Sequence, residues 1–134
     1  MGRKLANFAV KKEYAVFCPV GQASLAEAIE LMSRAVRRCR DQKIEKLLID
    51  STGLAQQLHP PGIVERYHFA ERIATEARSS VKIAHVANPE WVRAGKFAVL
   101  VAKNRGLEAQ NFTSRAAARE WLLKPAGARS EARD

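Results

Sequence analysis

The chain has little of what catalytic, metal-binding and extracellular sequences usually display. Of its 134 residues two are cysteines, Cys18 and Cys39, and they form neither a CxxC pair nor a Cys/His cluster with zinc spacing. The pattern is that of two buried thiols and not of a redox or metal centre. No apolar run approaches the ~20 residues that cross a bilayer, and the opening MGRKLANFAV lacks the apolar core and small-residue cleavage site of a signal peptide. The expected location is the cytoplasm. There is no Gly-rich phosphate loop, no nucleophile elbow and no Cys/His nucleophile signature, so the expectation is a protein without an enzymatic activity and without a cofactor. Internal repeats and long polar stretches are missing as well, apart from AGARSEARD at the end, and a largely disordered chain is excluded.

What is present is a chain with 47% apolar residues, enough to bury one core. We expect one domain over residues 1–124 and a flexible tail over 125–134. The formal charge of +9 is partly in the ends, at Arg3, Lys4, Arg129 and Arg133. Another part lies in RAVRRCRDQK, where Arg34, Arg37 and Arg38 share a helical face as a candidate anion-binding stripe. The same helix carries Glu27 and Glu30 near its start, so this charge order also simply complements a helix dipole.

Periodicity orders the elements. Phe8 to Val10 and Tyr14 to Val20 are apolar runs separated by Lys11, Lys12 and Glu13, which predicts a hairpin. Leu25, Ala28, Ile29, Met32, Ala35, Val36 and Cys39 recur at helical spacing, and Ser24 with Glu27 is a capping box. Ile44 to Ile49 reads as a central strand buried on both faces. A second helix is predicted over Ile63–Ala77, a strand from Val81 to Ala87, and a third helix from Pro89 to Lys103 that stops near Gly106. A strand from Leu107 to Phe112 and a helix over AAAREWLL, capped by Thr113 or Ser114, complete the chain. Alternation of this kind predicts an α/β fold, a mixed four- to five-stranded sheet with parallel right-handed crossovers and about four helices.

IEKLLIDSTGL, VKIAHVANPEWV and GLEAQNFTSRAAAREWL, in this order behind a hairpin, resemble the STAS superfamily and its SpoIIAA-like branch of anti-sigma-factor antagonists, which shares its architecture with CRAL-TRIO lipid-binding domains. The likeness covers roughly residues 5–124. It implies a regulatory, non-catalytic domain that binds a protein partner, such as a kinase-like anti-sigma factor or sensor. By that resemblance the partner-facing loop is Asp50, Ser51, Thr52 and Gly53 with His59, Pro60, Pro61 and Gly62. The antagonists carry a phosphorylated serine at the start of the following helix, but here Pro60 and Pro61 stand in that position and have no hydroxyl. Ser51 and Thr52 are the remaining candidate phosphorylation sites. The turn is also explicable without any ligand, because Asp50 and Ser51 can bond nearby N–H groups and Gly53 can take a positive φ.

Other residues offer weaker chemistry. Glu65 and His68 have the ExxH spacing of carboxylate-bridged metal sites, without the second pair that such sites need, and no metal is expected. His85 lies inside an apolar strand, as a neutral hydrogen-bonded core or rim histidine does. Tyr67, Phe69 and Trp91 fall near helix starts at one edge of the sheet, where α/β folds bind ligands, and are the candidate lining of a small-ligand site. Trp121 is expected to close the core under the last helix. Lys96, Lys103 and Arg105 extend the basic surface, but no aromatic stacking platform is interleaved with them. Two alternatives to partner docking therefore remain: a carrier or sensor of a small hydrophobic or anionic ligand, and a basic nucleic-acid accessory protein. Monomer and homodimer are both compatible with the sequence.

Overall fold

The computed structural model describes residues 6–55, 62–78, 80–94 and 96–124. His59, Pro60 and Pro61 of the expected loop, and the expected tail over 125–134, lie outside the described residues. The hairpin forms as β1 (Phe8–Val10) and β2 (Ala15–Phe17), paired antiparallel. β3 (Gly21–Gln22) precedes α1 (Leu25–Asp41), whose first turn is closed by the expected capping box: the Ser24 hydroxyl accepts from the Glu27 N–H, and Glu27 Oε1 accepts from the Ser24 N–H. Then follow β4 (Lys46–Asp50), β5 (Leu54–Ala55), α2 (Ile63–Ala77), β6 (Lys82–Val86), α3 (Pro89–Ala94), α4 (Lys96–Asn104), β7 (Ala109–Phe112) and α5 (Arg115–Leu123), the last capped by Ser114.

β1, β2, β4, β6 and β7 form a five-stranded sheet in that order, parallel except for the β1–β2 pair. Side chains alternate across it. Phe17, Leu47, Ile49 and Ile83 face α1, α2 and α4 and build the larger core with Met32, Val36 and Ile73. Val16, Leu48, Ala84 and Val86 face α5 and pack on Ala118 and Leu122, with half-buried Phe112 and Trp121 against them. β4 is thus covered on both sides, as its unbroken apolar run requires. Leu47, Leu48 and Ile49 are all buried there.

The expected third helix from Pro89 to Lys103 is two helices, α3 and α4. β3 and β5 form a small parallel ladder that the sequence pattern does not predict. Gly53 does not have a positive φ; what constrains it is close approach, since a Cβ there would lie 2.9 Å from Val20 Cγ1 and 3.3 Å from the Pro19 carbonyl oxygen. Gly106, after α4, does take the left-handed conformation expected of a helix stop, at φ 86°. Cys39 is buried, its thiol pushed up to about 12 by that burial, whereas Cys18 is only half-buried. No helix among the described residues is long and apolar enough to cross a membrane.

Candidate functional site

The parallel strands deliver their C-terminal ends to one edge of the sheet, and register decides what meets there. Ile49 of β4 is opposite His85 of β6, and His85 is opposite Asn111 of β7. All three lie on the face that carries Leu47 and Ile83, because side chains two positions apart share a face. Ser51, two residues beyond Ile49, continues the same row where β4 ends. Its N–H donates to the Val86 carbonyl at 3.0 Å, so the ladder extends one step beyond the strand and holds Ser51 beside His85.

The three polar side chains form a chain of hydrogen bonds. Ser51 Oγ lies 2.8 Å from His85 Nε2, and His85 Nδ1 lies 3.3 Å from Asn111 Oδ1. Asn111 Oδ1 can only accept, so the imidazole carries its proton on Nδ1 and offers Nε2 to the Ser51 hydroxyl. The Val86 carbonyl competes for that hydroxyl proton at a longer 3.3 Å. Burial pushes the His85 pKa below its ordinary 6.5, opposed by the Asn111 hydrogen bond and by the Asp50 charge, and the ring is neutral at pH 7.

This row opens on an apolar pocket of about 130 Å³ between the sheet, α1, α2, α3 and α4. Ile29 and Met32 of α1, Phe69 and Ile73 of α2 and Trp91 of α3 wall it, while Ser51, His85 and Asn111 stand at its polar side. Arg66 and Asn88 also line it. A comparable engineered cavity of about 150 Å³ accepts benzene. The pocket has room for a ring or a short alkyl chain, with hydrogen-bonding groups at one end.

The DSTG turn lies above this edge and is internally held. Asp50 Oδ1 accepts from the Thr52 N–H at 3.0 Å and from the Thr52 hydroxyl at 2.6 Å. Its Oδ2 accepts from Arg115 Nε of α5 at 2.7 Å, and Arg115 Nη2 donates to Cys18 Sγ at 2.8 Å. Burial opposes ionisation of Asp50, yet the hydrogen bonds from Thr52 and Arg115 prevail and keep its pKa below the ordinary carboxylate value. Leu54 N–H donates to the Ser51 carbonyl and Gly21 N–H to the Gly53 carbonyl, which ties the turn to β3. Thr52 and Gly53 remain exposed, and Gly62, at the N-cap of α2, is exposed as well.

Of the aromatic residues expected to line a ligand site, Phe69 and Trp91 line this pocket; Tyr67 instead stands under Arg105, whose Cζ is 5.6 Å from its ring centroid. The candidate anion stripe is largely engaged by neighbours. Arg37 makes a two-pronged contact with Glu76, at 3.3 and 3.1 Å, and Arg38 lies over the Phe8 ring at 5.6 Å. Arg40 and Arg72 also approach Glu76, so α1 and α2 are laced by a basic network around one carboxylate. Arg34 is half-buried on the same helix. Arg105 is likewise paired with Glu71 at 2.9 Å, and His68 lies 3.8 Å from that same glutamate. Arg37, Arg40, Arg72 and Arg105 are thus each engaged within the fold, although the three that share the single Glu76 carboxylate leave that surface net positive.

His85 and Asn111 were not candidates from the sequence, and Ser51 was one for a different reason. The available signal was parity, since Ser51, His85 and Asn111 each fall two residues beyond a core residue of their strand.

No protein-family model and no curated protein matches the chain. Among solved structures, an uncharacterised protein of the DUF3478 family with a SpoIIAA-like fold, from Shewanella loihica PV-4, superposes with a TM-score of 0.52. The alignment covers 92% of this chain and 99% of that one at 18% sequence identity. The chain thus has a SpoIIAA-like α/β fold.

Proposed function

We propose that this domain is a sensor or carrier of a small ligand with an apolar body and one hydrogen-bonding or anionic end, bound in the pocket at the C-terminal edge of β4, β6 and β7. The observation that carries this reading is the combination at one place of an apolar cavity and a convergent polar row, Ser51, His85 and Asn111, with Arg66 on the same wall. A core histidine needs only one partner and no cavity; here the polar row faces open space. An apolar body entering that space leaves water, worth ~25 cal/mol per Å² of surface removed, and the polar row fixes its orientation.

A second reading, docking of a protein partner at the Asp50–Gly53 turn, is favoured by a separate observation. The turn is exposed at Thr52 and Gly53 but held by the Asp50–Thr52 and Asp50–Arg115 contacts, so little ordering entropy is lost when a partner binds it. Ser51 belongs to both the turn and the pocket, and the two readings combine in a regulatory domain whose ligand alters the surface offered to its partner.

The test is a thermal-melt titration with benzoate, benzyl alcohol and benzene as probes. Preferential binding to the folded state raises Tm progressively with probe concentration. The expected order is benzoate and benzyl alcohol above benzene, with benzoate first if Arg66 meets the anionic end. Equal, concentration-independent melting with all three overturns the ligand reading.

A further inference from the structure

We infer that Ser51 is a nucleophile for acyl transfer, and that the pocket takes a carboxylic ester with a short apolar acyl group. This inference rests on the ligand reading of the pocket and adds a reaction to it. The geometry is that of an activated hydroxyl: nucleophile to base at 2.8 Å, base to an orienting amide at 3.3 Å, with His85 on β6, Asn111 on β7 and Ser51 held at the end of β4 by its N–H bond to the Val86 carbonyl. With Nδ1–H donated to Asn111 Oδ1, Nε2 carries the free lone pair and is aimed at the one proton that must leave Ser51. The base is ready at neutral pH because burial keeps the imidazole uncharged. Of the charged side chains on the surrounding elements, Asp50 at the end of β4 favours the imidazolium, and Arg66 of α2 lines the same pocket. Arg66 and Asn88 bring N–H donors to the pocket, the kind of group a developing oxyanion requires.

The step balances with water as the only co-reactant. Ser51 Oγ attacks the ester carbonyl carbon while its proton passes to His85 Nε2, and the carbonyl π pair moves to the oxygen. Collapse of the tetrahedral oxyanion breaks the bond to the alkoxy group, which leaves as the alcohol with the proton from Nε2. Water then attacks the acyl-Ser51 ester with Nε2 again taking the proton and returning it to Ser51 Oγ, and the carboxylic acid departs. In this scheme Ser51 and His85 are catalytic residues, and Asn111 is a positioning residue that fixes the tautomer of His85.

The experiment treats the full chain with a short-chain alkyl fluorophosphonate, in which Ser51 Oγ displaces fluoride from phosphorus, and reads the adduct by intact mass and peptide mapping. The expected result is one adduct on Ser51, lost in Ser51→Ala and formed at least ~100-fold more slowly in His85→Gln. Asn111→Ala slows labelling and moves its pH profile, and Asn111→Asp restores the rate. In the wild-type protein, which needs no variant to fold, labelling is constant above pH 6.5 and falls as pH drops through a midpoint below that value. No adduct, an adduct on another residue, or His85→Gln labelled at the wild-type rate overturns the inference. The benzoate titration of the wild-type protein separates the two proposals: a Tm rise with benzoate but no labelling removes the reaction and leaves the binding site, whereas no Tm rise removes the site.

Discussion

Filling the pocket from inside the protein should stabilise it and abolish binding together. Ala70 of α2 is 5% exposed and lines the cavity beside Phe69 and Ile73. Ala70→Leu adds three carbons to a space of about 130 Å³, where a benzene-sized group of six carbons fits a comparable engineered cavity. At ~0.8 kcal/mol per buried methylene the gross gain is about 2.4 kcal/mol, and freezing the leucine rotamer returns roughly 0.5–1 kcal/mol. The net is about 1.5 kcal/mol. With the usual unfolding entropy of ~2.1 cal/mol/K per residue, that corresponds to a rise in Tm of about 5 °C for a chain of this length. Differential scanning calorimetry gives Tm directly, and the same variant should show no further rise with benzoate. If the space is not there, the extra carbons overpack the α1–α2–α4 core at a cost of ~1–3 kcal/mol, and Tm falls. The sign of the shift therefore decides: a lower Tm refutes the pocket.

Two other predictions follow from buried or shared polar groups. Ser33 in the middle of α1 is fully buried and its hydroxyl has no partner among the described residues, so Ser33→Ala should stabilise by about 1–2 kcal/mol, seen as a higher urea midpoint at unchanged m. Glu76 is held below its ordinary pKa, first by the Arg37 hydrogen bond and then by the charges of Arg37, Arg40 and Arg72, against the opposing effect of burial. A depressed folded pKa adds stability that is fully present above the unfolded value near ~4.3 and is lost as pH falls through the folded one. Glu76→Gln should therefore lower stability at pH 7 and flatten its decline between roughly pH 5 and pH 3 in urea melts; an unchanged acid slope contradicts the network.

Much of the fold is legible because local signals agree with one another. The Ser24–Glu27 box opens α1, Ile63 and Ala77 bound α2, and the apolar run before Asp50 is buried on both faces. The β3–β5 ladder leaves no such trace, since two residues are too short for periodicity and the pairing joins Gly21 to Leu54. For Gly53 the sequence suggests a positive φ, whereas its φ is not positive and the close approach of Val20 is what constrains it. The site is less legible for a physical reason. Alternation places Ser51, His85 and Asn111 on the same face of their own strands, but parallel strands are joined through helices, and nothing local fixes how far each slides along its neighbour. A shift of two residues would keep every core residue inward and still separate Ser51 from His85. Arg37 teaches the same lesson on the surface: its helical spacing suggests a free basic face, while its partner Glu76 is 39 residues away.

Whether a ligand meets Ser51, His85 and Asn111 in that pocket is tested most directly by ¹H–¹⁵N chemical-shift mapping of a benzoate titration. The prediction is that saturable shifts concentrate on Ser51, His85 and Asn111 and on the Trp91 indole, with the Trp121 indole on the opposite face of the sheet unmoved. Shifts confined to the exposed arginines, or spread without saturation over the whole surface, would contradict it.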